Sequence, residues 1–243
     1  MEKKIEYVYC LRTCDKNMKS YGGFRWPKIG MVAAPDWSDA KECGKGLHGL
    51  LWGEGDGGLL NWNTDAVWMV VKVQKDLIVD LDQKVKFPKC EVVFCGDKKD
   101  AAALIYEKSP NKNIKCCAGT ATAGDAGTAT AGYAGTATAG YAGTATAGDA
   151  GTATAGYAGT ATAGACGTAT AGARGTATAG YAGTATAGYA GTATAGDEGY
   201  ILIRYYCEEK KTWRIKGCAI GENGIKPNVK YKLNDKHEFE EVK

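Results

Sequence analysis

The chain has 243 residues, a formal net charge of +3, 35 glycines and 10 cysteines. So slight a positive excess gives no case for nucleic acid, which calls for a concentrated basic face. No run approaches the roughly 18 apolar residues of a membrane span, and the opening MEKKIEYVYC has lysines with no apolar run behind them. A cytoplasmic, reducing location is therefore expected, with no membrane contact.

Residues 1–115 are expected to form an α+β capping domain. Ile5–Arg12 alternates and predicts a strand. Val67–Val73 is nearly continuous in apolar residues and predicts a strand buried on both faces. Leu77–Leu81 and Glu91–Cys95 predict two more. Asp100–Lys108, DAAALIYEK, predicts one short helix with Asp100 at its start. Trp26, Trp37, Trp52, Trp62 and Trp68 all fall here and are read as core rather than as a ligand cleft. Gly53–Gly58, GEGDGG, reads as a mobile loop.

Chemistry in this region is sparse. Cys43–Gly49, CGKGLHG, has Gly-x-Gly with a lysine, but not the full phosphate-loop pattern. His48 beside Cys43 could form a nucleophile pair; a Gly-rich turn with a satisfied histidine is the preferred reading. Cys10, Cys14, Cys43 and His48 could be gathered into a zinc site, yet the spacing is loose and no CxxC occurs. Asp80 and Asp82 could be an acid pair, or simply solvated. No catalytic residue, metal or cofactor is assigned. The CGKGLHG run is similar to the Gly-rich loop of ADP-ribosyltransferases. WPKIGMVAAPDW, CGKGLHGLLWG and VKFPKCEVVFCGD resemble an uncharacterised domain of bacterial and phage-associated proteins that often precedes octapeptide repeats. That likeness implies an architecture, not a chemistry.

From Gly119 to Glu198 the word G-T-A-T-A-G-x-A recurs ten times, x being Tyr, Asp or Ala. Strict Thr/Ala alternation has the period of a strand, and Gly marks the bends. The expectation for 116–199 is a β-solenoid. A 24-residue coil would purify the x columns, but it would enclose a space that alanine methyls cannot fill and would stack Asp125 on Asp149. A flattened, two-sided coil of 16 residues avoids both, giving about five coils. Twenty inward hydroxyls would each need a partner or cost about 1–3 kcal/mol, so Ala is placed inside and Thr outside. Asn111–Ala118 and Gly199–Ile203 fall in the same register and are expected to continue it. Tyr200–Cys207, Thr212–Ile220, Val229–Leu233 and Glu238–Val242 predict a C-terminal β-meander cap over 200–243, covering strand edges that would otherwise be bare.

The AGYAGTATAG segment resembles the tandem repeats of bacterial ice-nucleation proteins, and its T-x-T strand is similar to that of insect β-solenoid antifreeze proteins. The resemblance implies outward threonine rows that order water. The corresponding positions are Thr120, Thr122, Thr128, Thr130, Thr136, Thr138, Thr144, Thr146, Thr152, Thr154, Thr160, Thr162, Thr168, Thr170, Thr176, Thr178, Thr184, Thr186, Thr192 and Thr194. It also implies tyrosine ladders for side-by-side assembly, at Tyr133, Tyr141, Tyr157, Tyr181 and Tyr189. The array here is much shorter than in that family, and both sides of the coil carry T-x-T rather than one. Three functional readings follow: a non-enzymatic repeat protein using Thr arrays and Tyr edges for self-association, as a homodimer or higher assembly, or for an ordered partner; the same surface with ice as that partner; or a transferase-like, nucleotide-binding N-terminal enzyme with the solenoid as spacer.

Overall fold

The computed structural model describes residues 5–111 and 114–242. The chain divides into two compact units between Gly119 and Thr120.

The first unit is built on an antiparallel sheet. Its strands are β1 (Tyr7–Cys14), β2 (Gly30–Ala33), β3 (Leu47–Leu51), β4 (Val67–Gln74), β5 (Val79–Asp80), β6 (Val85–Phe87) and β7 (Lys89–Gly96), in the order β2-β7-β4-β1-β3-β6-β5. Met69, Val70, Val71 and Val73 of β4 are wholly buried. Successive strand residues face opposite ways: Met69, Val71 and Val73 join Val8, Cys10, Trp26 and Phe87 in one core. Helix α1 (Lys98–Lys108) packs on β4, β1 and β7 and buries Ala101, Ala102 and Ile105.

Four local expectations are corrected. The helix starts earlier, because Asp97 rather than Asp100 is the N-cap; its carboxylate accepts from Asp100 N at 3.0 Å. Leu77–Leu81 is not one strand but a 3-10 turn, Lys75–Leu77, followed by the two-residue β5. The glycine-rich loop is pinned: Asp56 caps the turn Gly57–Leu59, and Asp56 N donates to Gln83 O. Residues 112 and 113 lie outside the described residues, and the described part of Asn111–Ala118 forms no strand. There Lys115 N donates to Glu54 Oε1 and Cys117 N to Gly53 O, both within the first unit.

The second unit contains the repeats. Ten four-residue strands, one per word, follow each other: β8 (Thr120–Ala123), β9 (Thr128–Ala131), β10 (Thr136–Ala139), β11 (Thr144–Ala147), β12 (Thr152–Ala155), β13 (Thr160–Ala163), β14 (Thr168–Ala171), β15 (Thr176–Ala179), β16 (Thr184–Ala187) and β17 (Thr192–Ala195). Within the repeats each strand pairs in parallel with the one two places away in sequence, residue on residue: Thr136 on Thr152, Ala137 on Ala153, Thr144 on Thr160. The coil therefore closes after 16 positions, and successive strands alternate between two sheets. Between the sheets lie the strand alanines, from Ala129 to Ala195 no more than 5% exposed. A methyl buries little apolar area. Continuous backbone ladders and close sheet contact therefore carry most of the stability.

The turns differ from expectation in one respect. Gly is expected to supply the bend, but the left-handed residue in each turn is the one after x, an alanine in seven turns, as at Ala142 (φ 50°) and Ala158 (φ 52°), and Cys166, Arg174 or Glu198 in the others. The turn is closed by Gly127 N donating to Gly124 O, and equivalently in later coils. Its positive-φ residue sits in the third position, as in type II turns. Glycine is there for room instead. A Cβ at Gly156 would lie 2.8 Å from Gly140 O and 3.0 Å from Tyr141 N in the preceding coil.

The stack ends where large side chains replace methyls. β18 (Tyr200–Cys207) pairs in parallel with β16, placing Ile201 and Ile203 on Ala185 and Ala187. β19 (Thr212–Ala219) then runs antiparallel to β18. On the other sheet, β20 (Tyr231–Leu233) sets Tyr231 against Ala193 and pairs with β21 (Phe239–Glu241). Each sheet thus receives its own hairpin. Ile201, Ile203, Ile225 and Tyr231 are all buried in the same core as the alanines. The outermost strands carry Arg214, Lys216, Glu240 and Glu241, charges that discourage further strand addition.

Candidate functional site

The two outer faces of the solenoid are the most regular surfaces of the chain. All twenty repeat threonines are exposed or half-buried, and none is buried. One face holds the pairs of β8, β10, β12, β14 and β16; the opposite face holds those of β9, β11, β13, β15 and β17. Threonines of one pair are about 6.7 Å apart along the strand, and equivalent ones about 4.8 Å apart between coils. Branching at Cβ restricts χ1. In-register pairing therefore holds hydroxyls and methyls in repeated positions from coil to coil. Thr192 Oγ1 donates to Thr176 Oγ1 at 3.2 Å, a bond between coils. No charged side chain interrupts either five-coil Thr-Ala-Thr-Ala array; Asp125, Asp149, Arg174, Asp197 and Glu198 all fall in the turns.

The x residues form the two edges. One edge runs Asp125, Tyr141, Tyr157, Ala173, Tyr189; the other runs Tyr133, Asp149, Ala165, Tyr181, Asp197. The tyrosines therefore do not make one ladder. Tyr141 and Tyr157 stack at 5.4 Å with planes 7° apart. Tyr189 meets Trp213 edge-on at 5.6 Å, and the Arg174 guanidinium lies 5.9 Å from the Tyr157 ring. On the second edge Asp149 and Ala165 intervene between Tyr133 and Tyr181. Two of the aspartates tie neighbouring coils together. Asp125 Oδ1 accepts from Tyr141 N, and Asp149 Oδ1 from Ala165 N, each one coil on.

Of the predicted site residues of the first unit, Cys43 and His48 line one cleft, while Cys10, Cys14, Asp80 and Asp82 do not. Cys10 and Cys14 are buried, and burial raises both thiol pKa values. Cys43 is exposed, and its Sγ accepts from Lys84 Nζ at 2.9 Å. Among the described residues no group of three or more His, Cys, Asp or Glu could hold a metal. Asp80 Oδ1 accepts from Asp82 N, a local turn rather than an acid pair. His48 is not the satisfied histidine expected: its Nε2 is buried with no hydrogen-bond partner among the described residues. Burial, then Lys84, Arg12 and Lys86, push its pKa down to about 4, so the ring is neutral at neutral pH. Reading the sequence missed Arg12. Its only signal was a basic residue inside the apolar run of β1, yet it is only 9% exposed and lies 3.5 Å over the Trp26 ring.

Among the described residues no helix is long and apolar enough to cross a membrane. Residues 8–104 match the model of a domain of unknown function, DUF7666. Over 106 residues, 43% of this chain, the sequence is 40% identical to the ice nucleation protein of Pseudomonas fluorescens. It is 38% identical over 104 residues, 42% of the chain, to ice nucleation protein InaU of Pantoea ananas. It is 39% identical over 103 residues, again 42%, to an ice nucleation protein of Pseudomonas syringae. These matches cover 9%, 10% and 9% of the respective relatives, so the chain spans about a tenth of their length. No solved structure matches. The chain is a capped β-solenoid of about five coils with Thr-rich strands, similar in sequence to bacterial ice nucleation proteins and joined to an N-terminal DUF7666 match.

Proposed function

We propose that the two threonine faces bind ordered water and, through it, ice, and that the second unit acts as a non-enzymatic binding surface. The observation that carries this is the in-register stacking of Thr on Thr every 16 residues over five coils on both faces. A flat, uncharged lattice of hydroxyls and methyls offers weak sites one at a time. Only a partner that is itself periodic can engage many together, and linked sites multiply. The likeness to ice nucleation proteins supports ice as that partner. Five coils make a small template, so ice binding and crystal shaping are the expected activities, with nucleation weak.

Because the faces are equivalent, the test needs substitutions on both. Thr154→Tyr lies on β12 and Thr146→Tyr on β11, in opposite sheets. Ice-crystal shaping and thermal hysteresis should survive in part in either single variant and vanish in the double variant. Equal activity in the double variant, with its circular dichroism unchanged, would contradict the reading.

A second reading concerns the tyrosine edge. Tyr141 and Tyr157 are 56% and 41% exposed while already stacked on each other. Such a pair is a preformed aromatic plate for a second copy of the chain, and self-association through it would enlarge the lattice presented to ice.

A further inference from the structure

A cleft of about 1050 Å³ opens in the first unit, lined by Arg12, Tyr21, Gly44, Lys45, His48 and Lys84 among others. Arg12 is the unusual member. A buried charge is normally paired, because taking an ion out of water is costly. Here Nη1 donates to His48 O at 2.9 Å and the guanidinium stacks on Trp26, but Nε has no partner among the described residues. Cys14 hydrogen-bonds to Arg12, and the groups that act on it electrostatically are the thiols of Cys14 and Cys90, not carboxylates. Lys86, wholly buried nearby, donates to the Glu42 carbonyl and forms no ion pair with a carboxylate among the described residues. Among the described residues the one acid lining the cleft is Asp36, whose Oδ1 accepts from Gly46 N at 3.2 Å. Arg12, Lys45 and Lys84 outnumber it.

The walls add two features. Gly22, Gly23 and Gly44 have φ of 78°, 79° and 134°, and a Cβ built on any of them would meet nothing within 4 Å. These glycines are therefore not required by packing. Gly23 N already donates to Ser20 O at 3.0 Å, so what these glycines leave at the wall is open space for a ligand. Beside them Tyr21 is fully exposed, a free aromatic face at the rim. The volume exceeds what a bare oxyanion fills and suits a ligand of nucleotide size.

We infer that this cleft is a nucleotide-binding site, with the phosphates held by the positive charge of Arg12, Lys45 and Lys84 and the base stacked on Tyr21. The site is separate from the threonine faces and does not depend on their role. Arg12 supplies the fixed interior charge, whose desolvation has already occurred on folding. The two lysines meet the ligand at the mouth. The neutral His48 ring adds no repulsion to the cluster.

The test uses the full chain with ADP, inorganic pyrophosphate and adenosine as separate probes, followed by tryptophan fluorescence and by titration calorimetry. ADP should bind saturably, pyrophosphate more weakly and adenosine not at all. Lys45→Glu, at an exposed position, should weaken ADP about ten-fold or more, as loss of a charge-assisted contact does. Tyr21→Ala should weaken ADP while leaving pyrophosphate unchanged. Arg12→Met should abolish both; should that variant fail to fold, Lys45→Glu and Tyr21→Ala decide. No saturable ADP binding at millimolar concentration would overturn the assignment, as would ADP binding indifferent to Lys45→Glu. Equal affinity for pyrophosphate and ADP would reduce the site to a phosphate site and overturn the base-stacking role of Tyr21.

Discussion

At the scale of single residues, the repeat word gives glycine and alanine different physical roles. Glycine stands where the backbone of the preceding coil passes within about 3 Å of any Cβ, and alanine occupies the left-handed corner. Gly156→Ala should therefore destabilise the solenoid by about 1–3 kcal/mol, the usual cost of forcing an atom into a packed interior. Ala158→Gly removes a left-handed strain of about 1–2 kcal/mol and adds unfolded-state entropy of similar size, so it should be near neutral. Urea unfolding of the two variants checks the contrast; the reverse ranking would contradict the assignment of room to Gly156 and of the corner to Ala158. Sequence periodicity revealed the Thr and Ala columns because alternation maps directly onto the two faces of a strand. It did not reveal which turn residue is left-handed, because Gly is the usual occupant and nothing in the composition marks Ala as the exception. Cys166, Arg174 and Glu198, which replace that Ala, were the available signal: all three are exposed and left-handed (φ 55° to 59°).

At the scale of elements, register is what turns the word into a surface. Pairing every 16 residues brings Tyr141 onto Tyr157 and leaves Asp149 and Ala165 between Tyr133 and Tyr181. We expect any self-association to use the Tyr141–Tyr157 edge. Tyr141→Ala with Tyr157→Ala should lower the apparent mass in concentration-dependent sedimentation, whereas Tyr181→Ala should not. Monomers at all concentrations in the unaltered chain would remove the second reading. The sequence contained this edge only after the coil length was fixed, since a 24-residue coil would have aligned Tyr133, Tyr157 and Tyr181 instead. Alanine's small volume excluded that coil. Packing thus resolved what column purity left ambiguous. The C-terminal strands were legible for the same reason as the repeats: Tyr200–Ile203 keeps the T-A-T-A positions with larger side chains. The segment before the repeats misled because it keeps only the corner of the word, Ala118 at φ 59°, while its amides bond within the first unit.

At the scale of the whole molecule, two units of different character share the chain. The solenoid is quasi-one-dimensional, so stability accumulates coil by coil and depends on the caps. Its twenty threonines cost nothing to expose, and their regularity is a consequence of backbone register rather than of tertiary contacts. The first unit has an ordinary packed core; one wall of its cleft, Cys43–Gly49, was marked in the sequence, whereas Arg12, Tyr21 and Lys84 join it through the fold and not through spacing. The ice reading rests on the solenoid alone. It is tested most directly by growing a single ice hemisphere from a dilute solution of the fluorescently labelled full chain. The account predicts that the protein is taken up into the ice, and that the Thr146→Tyr, Thr154→Tyr double variant is left in the liquid. Exclusion of the unaltered protein from the growing ice, or equal uptake of the double variant, would contradict it.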